Sequence, residues 1–246
     1  MAAASAARLF CALDTVDLAL ARHLARQLAG LVDGVKLGLE FFTANGPAGV
    51  RAIQQHGLPI FLDLKFHDIP NTVAGGMQAA AALGVAIITV HASGGAAMLS
   101  AAVTAARAGA AASKVAPPKL VGITVLTSLG EEDLAAVGQQ GPLPRQAERL
   151  ADLSLAAGLD GVVCSAREAA LLRKRLGPTA MLVVPGLRPV WAEAQDQKRV
   201  VTPGDAVRLG ADVLVIGRPI TTARDPADAA RRIVAEMRGE PVGAPA

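Results

Sequence analysis

The chain of 246 residues contains no tyrosine, one tryptophan and five phenylalanines. A stacking surface for single-stranded nucleic acid needs aromatics interleaved with basic residues, and the sequence carries no such tract. Net charge is only +3 with a pI near 9.2, too mild to argue for a polyanionic partner. Cysteine is almost missing. Cys11 and Cys164 stand alone, without the paired spacing of a disulfide framework or a zinc site. A reducing, cytoplasmic setting is therefore expected. The four histidines form no HxH or HxxxH pair, and lysines between the candidate acids disfavour a metal there. The Ala-rich start, MAAASAARLFCALD, has no early positive region, and Asp14 interrupts its apolar run, so it makes a poor signal peptide. Formal charge disappears between Ile69 and Ala106, which raises a membrane question. Pro70, Asn71, Gln78, His91 and the glycine pairs at 75–76 and 94–95 punctuate that stretch. Two buried α/β units fit it better than a span, and no membrane partner is expected.

What is present is apolar and regular. Hydrophobic residues make up 52% and charged residues 18%, with mean hydropathy +0.41, so material for a sizeable core is ample. Short apolar runs recur: RLFCAL (8–13), GVKLGLE (34–40), PIFLDLKF (59–66), VAIITVH (85–91), LVGITVL (120–126), DGVVCS (160–165), AMLVVPG (180–186) and DVLVIG (212–217). Between them lie Ala/Leu-rich stretches of helical pattern, clearest at 17–30, 142–158, 166–177, 202–210 and 225–239. The basic run REAALLRKRLG (167–177) reads as the wet face of a helix with a glycine stop. Nearly continuous apolar strands joined by helices indicate a parallel sheet covered on both faces. Eight such units in a chain of this length predict an α/β fold, a (β/α)8 TIM barrel. A doubly wound open sheet competes, although the N-terminal GxGxxG of its dinucleotide-binding version is missing. No linker or composition break divides the chain, so one domain over residues 1–246 is expected.

In a barrel of this kind, active sites occupy the C-terminal strand ends. Those ends carry Asp14, Lys36, Asp63, Lys65, Asp68, His91, Thr127, Ser128, Ser165, Gly186 to Arg188, Gly217 and Arg218. The stretch FLDLKFHD concentrates charge where a strand should be apolar. Residues two apart on a strand share a face about 6–7 Å apart, which puts Asp63 beside Lys65. With Lys36 and Asp68 they form a four-charge set that sums to zero, readable either as a structural salt bridge or as catalytic machinery. A lysine held among carboxylates stays protonated and can act as a general acid, and a carboxylate placed beside an anionic substrate group favours its discharge. VVPGLRP (183–189) and VLVIGRP (213–219) place glycine and arginine at the ends of strands seven and eight. Loops after those strands commonly build a phosphate site, and Arg188 and Arg218 supply forks for phosphate oxygens. His91 reads as a hydrogen-bonded strand-end residue and Cys164 as core packing. Trp191 reads as a surface cover.

DGVKLGLEFF, DLKFHDIPNT, VHASGG, ITVLTS, GLDGVVCSA, PGLRP, DQKR and VIGRP, in that order from about Leu13 to Pro226, closely resemble the orotidine 5'-phosphate decarboxylases of bacterial type. The resemblance implies a dimeric barrel that converts orotidine 5'-monophosphate to UMP and carbon dioxide, the last step of de novo pyrimidine synthesis, with no cofactor. It implies Lys65 as the proton donor to C6 of the pyrimidine, with Lys36, Asp63 and Asp68 completing the network and Asp68 contributed across the dimer interface. Asp14 and Lys36 match the ribose contacts, Asn71 and Thr72 the loop after strand three, and Thr127 the pyrimidine contact. Arg188, Gln197, Gly217 and Arg218 match the remaining ligand positions, the last three at the phosphate. The Ala-rich start, Trp191 and the loop 188–199 depart from the pattern. Two rivals stay open: a metal-dependent sugar-phosphate enzyme of the same suprafamily, and a non-catalytic barrel that binds a phosphorylated ligand.

Overall fold

The eight apolar runs pair in chain order, each parallel to the next and the last to the first, closing the expected barrel. The computed structural model describes residues 7–139, 141–191 and 201–241. Its strands are β1 (Arg8–Ala12), β2 (Gly34–Gly38), β3 (Ile60–Phe66), β4 (Ile87–His91), β5 (Lys119–Ile123), β6 (Gly161–Val163), β7 (Met181–Pro185) and β8 (Val213–Ile216). The helices around them are α1 (Leu18–Leu28), α2 (Leu39–Gln54), α3 (Pro70–Ala81), α4 (Gly95–Ala112), α5 (Glu131–Ala136) and α6 (Leu143–Ala156). After them come α7 (Ala166–Leu176), α8 (Pro203–Arg208), the single turn α9 (Arg218–Thr221) and α10 (Pro226–Met237). Among the described residues no helix is long and apolar enough to cross a membrane.

Strand alternation explains why the runs read as continuously apolar. One set of side chains, including Leu9, Cys11, Leu37, Leu62, Val90, Val162, Val184 and Leu214, faces the helices. The other set, Phe10, Phe61, Ile87, Val121, Val183, Val213 and Val215, fills the barrel interior. Phe10 and Phe61 meet edge to face at 6.2 Å between ring centroids. Gly34 makes room for that pair, since a Cβ there would lie 2.3 Å from the Phe10 ring. Burying one such ring contributes about 2–3 kcal/mol.

Helix starts follow from local chemistry. Asp17 caps α1 by accepting from the N–H groups of Ala19 and Leu20 at 2.8 and 3.1 Å. Asp225 caps α10 with Pro226 at its first position, and Thr202 caps α8 ahead of Pro203. The apolar run 34–40 crosses an element boundary, because Gly38 turns the chain and Leu39 and Glu40 open α2. The run 120–126 likewise leaves the sheet after Ile123.

The N-terminal face of the barrel is held by carboxylates. Asp33, Asp160 and Asp212 accept from the strand N–H groups of Leu9, Leu120 and Leu182 at 2.7 to 2.9 Å. Here the structure corrects the wet-face reading of the basic run in α7. Arg167 and Lys174 are exposed, and Gly177 stops the helix as expected. Arg173, however, turns inward, donates to the carbonyls of Gly177, Ala180 and Gly210, and pairs with Asp212. Its fork satisfies several loop carbonyls at once, which a solvated side chain would leave to water.

Candidate active site

The charged residues predicted at the C-terminal strand ends converge. Lys36 Nζ lies 3.0 Å from Asp14 Oδ1 and 3.6 Å from Asp63 Oδ2, and Lys65 Nζ lies 2.7 Å from the same Asp63 oxygen. Two ammoniums thus alternate with two carboxylates. Gly38 leaves the space for the outer pair, since a Cβ there would come within 3.0 Å of Lys36 Nζ. Asp63 is 8% exposed. Asp63 is the buried member, and losing its ammonium partners would leave that carboxylate without compensation, which is strongly unfavourable.

Asp63 and Lys65 meet as expected, but simple strand alternation is not what brings them together. Leu62 of β3 pairs with Ile88 of β4, yet the next pairing joins Phe66 to Val90. Four steps along β3 oppose two along β4, which is a bulge. Inside it Lys65 has φ +51°, and only Lys114 shares positive φ among the described non-glycine residues. A non-glycine residue in that region costs on the order of 1–2 kcal/mol. Thr89, fully buried on β4, spans the gap. Its Oγ1 accepts from the Lys65 N–H at 2.8 Å and donates to Asp63 Oδ1 at 2.9 Å. Sequence reasoning missed Thr89. The available signal was a small hydroxyl within VAIITVH, on the same face as His91. His91 itself stacks near His67, with ring centroids 5.3 Å apart. Burial foremost, then His67 and Lys65, holds its pKa below the ordinary imidazole value.

The charge chain borders two lobes of one cleft. The first lobe, about 220 Å³, has apolar walls from Phe61, Ile123, Val125, Val163, Val183 and Val215. Asp63, Lys65 and Lys36 line it as well, as do Thr127 and Cys164. Cys164 packs as expected, and its thiol is pushed up to about 12, chiefly by burial. The second lobe, about 240 Å³, is lined by Asp14, Lys36, Gly186, Arg188, Gly217 and Arg218. Lys36, Pro185 and Val215 belong to both linings, so the lobes adjoin. One lobe suits a flat ring beside fixed charges, and the other offers two guanidinium groups for an anion. Gly186 turns the chain out of β7 with φ +76°, and the Arg188 N–H donates to the Val201 carbonyl at 3.3 Å.

Other expected residues stand elsewhere. Asp68 is exposed, accepts from its neighbour Ile69 N–H at 2.6 Å, and forms no ion pair among the described residues. Asp14, not Asp68, is the second acid of the cluster within this chain. Asn71 and Thr72 are exposed on the first turn of α3, outside both linings. Gln197 lies outside the described residues. Trp191 is more than a surface cover: it packs against the helix-facing core, with the Arg232 guanidinium 4.2 Å over its ring. Among the described residues no three His, Cys, Asp or Glu side chains gather as metal ligands.

Residues 7–233 match the model of the orotidine 5'-phosphate decarboxylase / HUMPS family. The chain belongs to this family. Among relatives within it, an orotidine 5'-phosphate decarboxylase of Paramagnetospirillum magneticum is 55% identical over 228 residues, covering 93% of this chain and 97% of the relative. One from Rhodospirillum rubrum is also 55% identical, over 235 residues and 95% of each chain. The crystal structure of orotidine 5'-phosphate decarboxylase from Lactobacillus acidophilus superposes with a TM-score of 0.82 at 35% identity, covering 94% of this chain and 99% of that one. The decarboxylase family therefore supplies both the barrel and the resemblance first seen in DLKFHDIPNT.

Proposed function

We propose that this chain, read as one domain, decarboxylates orotidine 5'-monophosphate to UMP and carbon dioxide in pyrimidine biosynthesis. The observation that carries the reading is the Asp63–Lys65 contact of 2.7 Å at an apolar lobe that adjoins a two-arginine lobe, in a chain of this family. The pyrimidine occupies the apolar lobe beside Thr127, the ribose meets Asp14 and Lys36, and the phosphate meets Arg188, Gly217 and Arg218; Gln197 joins them by the family resemblance alone.

In this reading the substrate carboxylate lies near Asp63, and Lys65 stands at C6. The C6–carboxylate bond breaks, carbon dioxide leaves, and the bonding electron pair remains on C6. The adjacent ammonium stabilises that carbanion and then transfers one proton to it, giving UMP and a neutral amine that solvent reprotonates. Charge already in place where the anion develops is the usual source of the largest rate effect. Phosphate contacts remote from C6 supply binding energy that orients the ring. Every group named in this step belongs to the protein or the substrate.

The same reading places a second copy of the chain at the site. Asp68, Asn71 and Thr72 project from the cleft face without lining their own cleft, which supports a homodimer in which Asp68 serves the partner's site. A cytoplasmic location follows from the pathway. Adding purified protein to orotidine 5'-monophosphate and following the substrate absorbance tests the activity. Steady loss proportional to enzyme is expected, and an unchanged spectrum rejects the reading.

A further inference from the structure

The bulge in β3 raises a question that the four charges leave open: what keeps Lys65 in a left-handed backbone conformation and Asp63 in one rotamer? Neither residue has a ladder partner on β4, because pairing lapses between Leu62 and Phe66. The Lys65 N–H would therefore be orphaned in a largely buried setting, and such groups are almost always satisfied. The Thr89 hydroxyl satisfies it at 2.8 Å. A hydroxyl has one proton. Because the Lys65 N–H can only donate, the Thr89 oxygen accepts there, and its own proton is left for Asp63 Oδ1 at 2.9 Å. Asp63 then has Thr89 on one oxygen and Lys65 Nζ, at 2.7 Å, on the other. One buried oxygen thus couples the backbone that carries the acid to the carboxylate that holds its ammonium.

We propose that Thr89 is a positioning residue for the reaction, setting the Lys65 backbone and the Asp63 carboxylate together through its single hydroxyl. The proposal rests on the assignment of Lys65 and Asp63 above. Thr89 is itself part of neither lobe's lining, so it acts through those two residues and not on substrate. Valine has the shape of threonine without the hydroxyl, whereas serine keeps the hydroxyl and loses the methyl.

The test compares Thr89→Val, Thr89→Ser and Thr89→Ala with the native enzyme and with Lys65→Ala. It measures kcat, KM, UMP affinity and melting temperature. Misplacing a catalytic group by about 1 Å can cost about 10²-fold, so Thr89→Val should lower kcat by about that factor. KM and UMP affinity should hold within about threefold, since ring and phosphate contacts remain. Thr89→Ser should recover most of kcat, and Thr89→Ala should not. A kcat for Thr89→Val within about threefold of native would overturn the proposal. So would equal losses in the serine and alanine variants, the pair that decides the matter if the valine variant does not fold. An active Lys65→Ala enzyme would instead reject the underlying assignment. An inactive Lys65→Ala beside a native-like Thr89→Val rejects the role of Thr89 alone.

Discussion

Arg218→Ala separates phosphate binding from chemistry more cleanly than any change among the four charges. Arg218 opens the short turn α9 after β8 and lines the second lobe together with Arg188, while Asp63 and Lys65 line the first. It contacts no reacting atom in the proposed step. A hydrogen bond to a charged group contributes about 1.5–3 kcal/mol, and a guanidinium can offer phosphate two of them. Full loss would approach about 5 kcal/mol, but Arg218 is exposed and Arg188 remains, so about 3 kcal/mol is the better expectation. That amounts to about a 10²-fold drop in kcat/KM for orotidine 5'-monophosphate. The assay that decides is the same comparison with orotidine, which lacks the phosphate. Its kcat/KM starts far lower and should change by less than about threefold on substitution. A comparable drop on both substrates would show that Arg218 acts through the fold of the cleft. No drop on either would remove it from the phosphate site.

Two other expectations follow from the geometry. If Asp68 serves the partner's site, Asp68→Ala and Lys65→Ala should each be nearly inactive alone. Mixing them should restore about a quarter of native activity, because random exchange of subunits builds intact sites in the mixed dimers; a mixture as inactive as its parts would place Asp68 in its own chain's site, and an active Asp68→Ala would place it outside the chemistry. Cys11 and Cys164, whose thiols burial pushes up to about 12, should resist alkylation. Raising a thiol from 9.0 to about 12 leaves roughly 10⁻⁴ as thiolate at pH 8, about a thousandfold less than for an unperturbed thiol. Mass spectrometry after iodoacetamide should find neither labelled in the native protein and both labelled in urea. Rapid native labelling of Cys164 would mean that the apolar lobe is open to water.

The barrel was legible because each strand buries both faces, so eight apolar runs stood out against helices with the opposite pattern. Their ends were less legible. Leu39 and Glu40 continue an apolar run yet start α2, because Gly38 turns the backbone there and periodicity does not register one residue's dihedral angles. At the site, Asp14, Lys36, Asp63 and Lys65 could be gathered from strand ends alone. The bulge that brings Asp63 and Lys65 into contact could not, since it depends on where β4 pairs. Thr89 was hidden for the same reason: a buried threonine in a β-branched run looks like strand propensity until its partners are known. Arg173 shows the converse. Local pattern assigns it to a wet helix face, and only the fold reveals the Gly210 carbonyl and Asp212 within its reach.

The most direct measurement of the central claim is the fate of C6 in heavy water. Purified native enzyme and Lys65→Ala are given orotidine 5'-monophosphate in D₂O containing EDTA, and the product is read by proton NMR. Proton donation by Lys65 without a metal predicts UMP bearing deuterium at C6, one carbon dioxide released per UMP formed, and no product from Lys65→Ala whose circular dichroism matches the native protein. Substantial UMP from Lys65→Ala, or loss of native activity on adding EDTA, would contradict it.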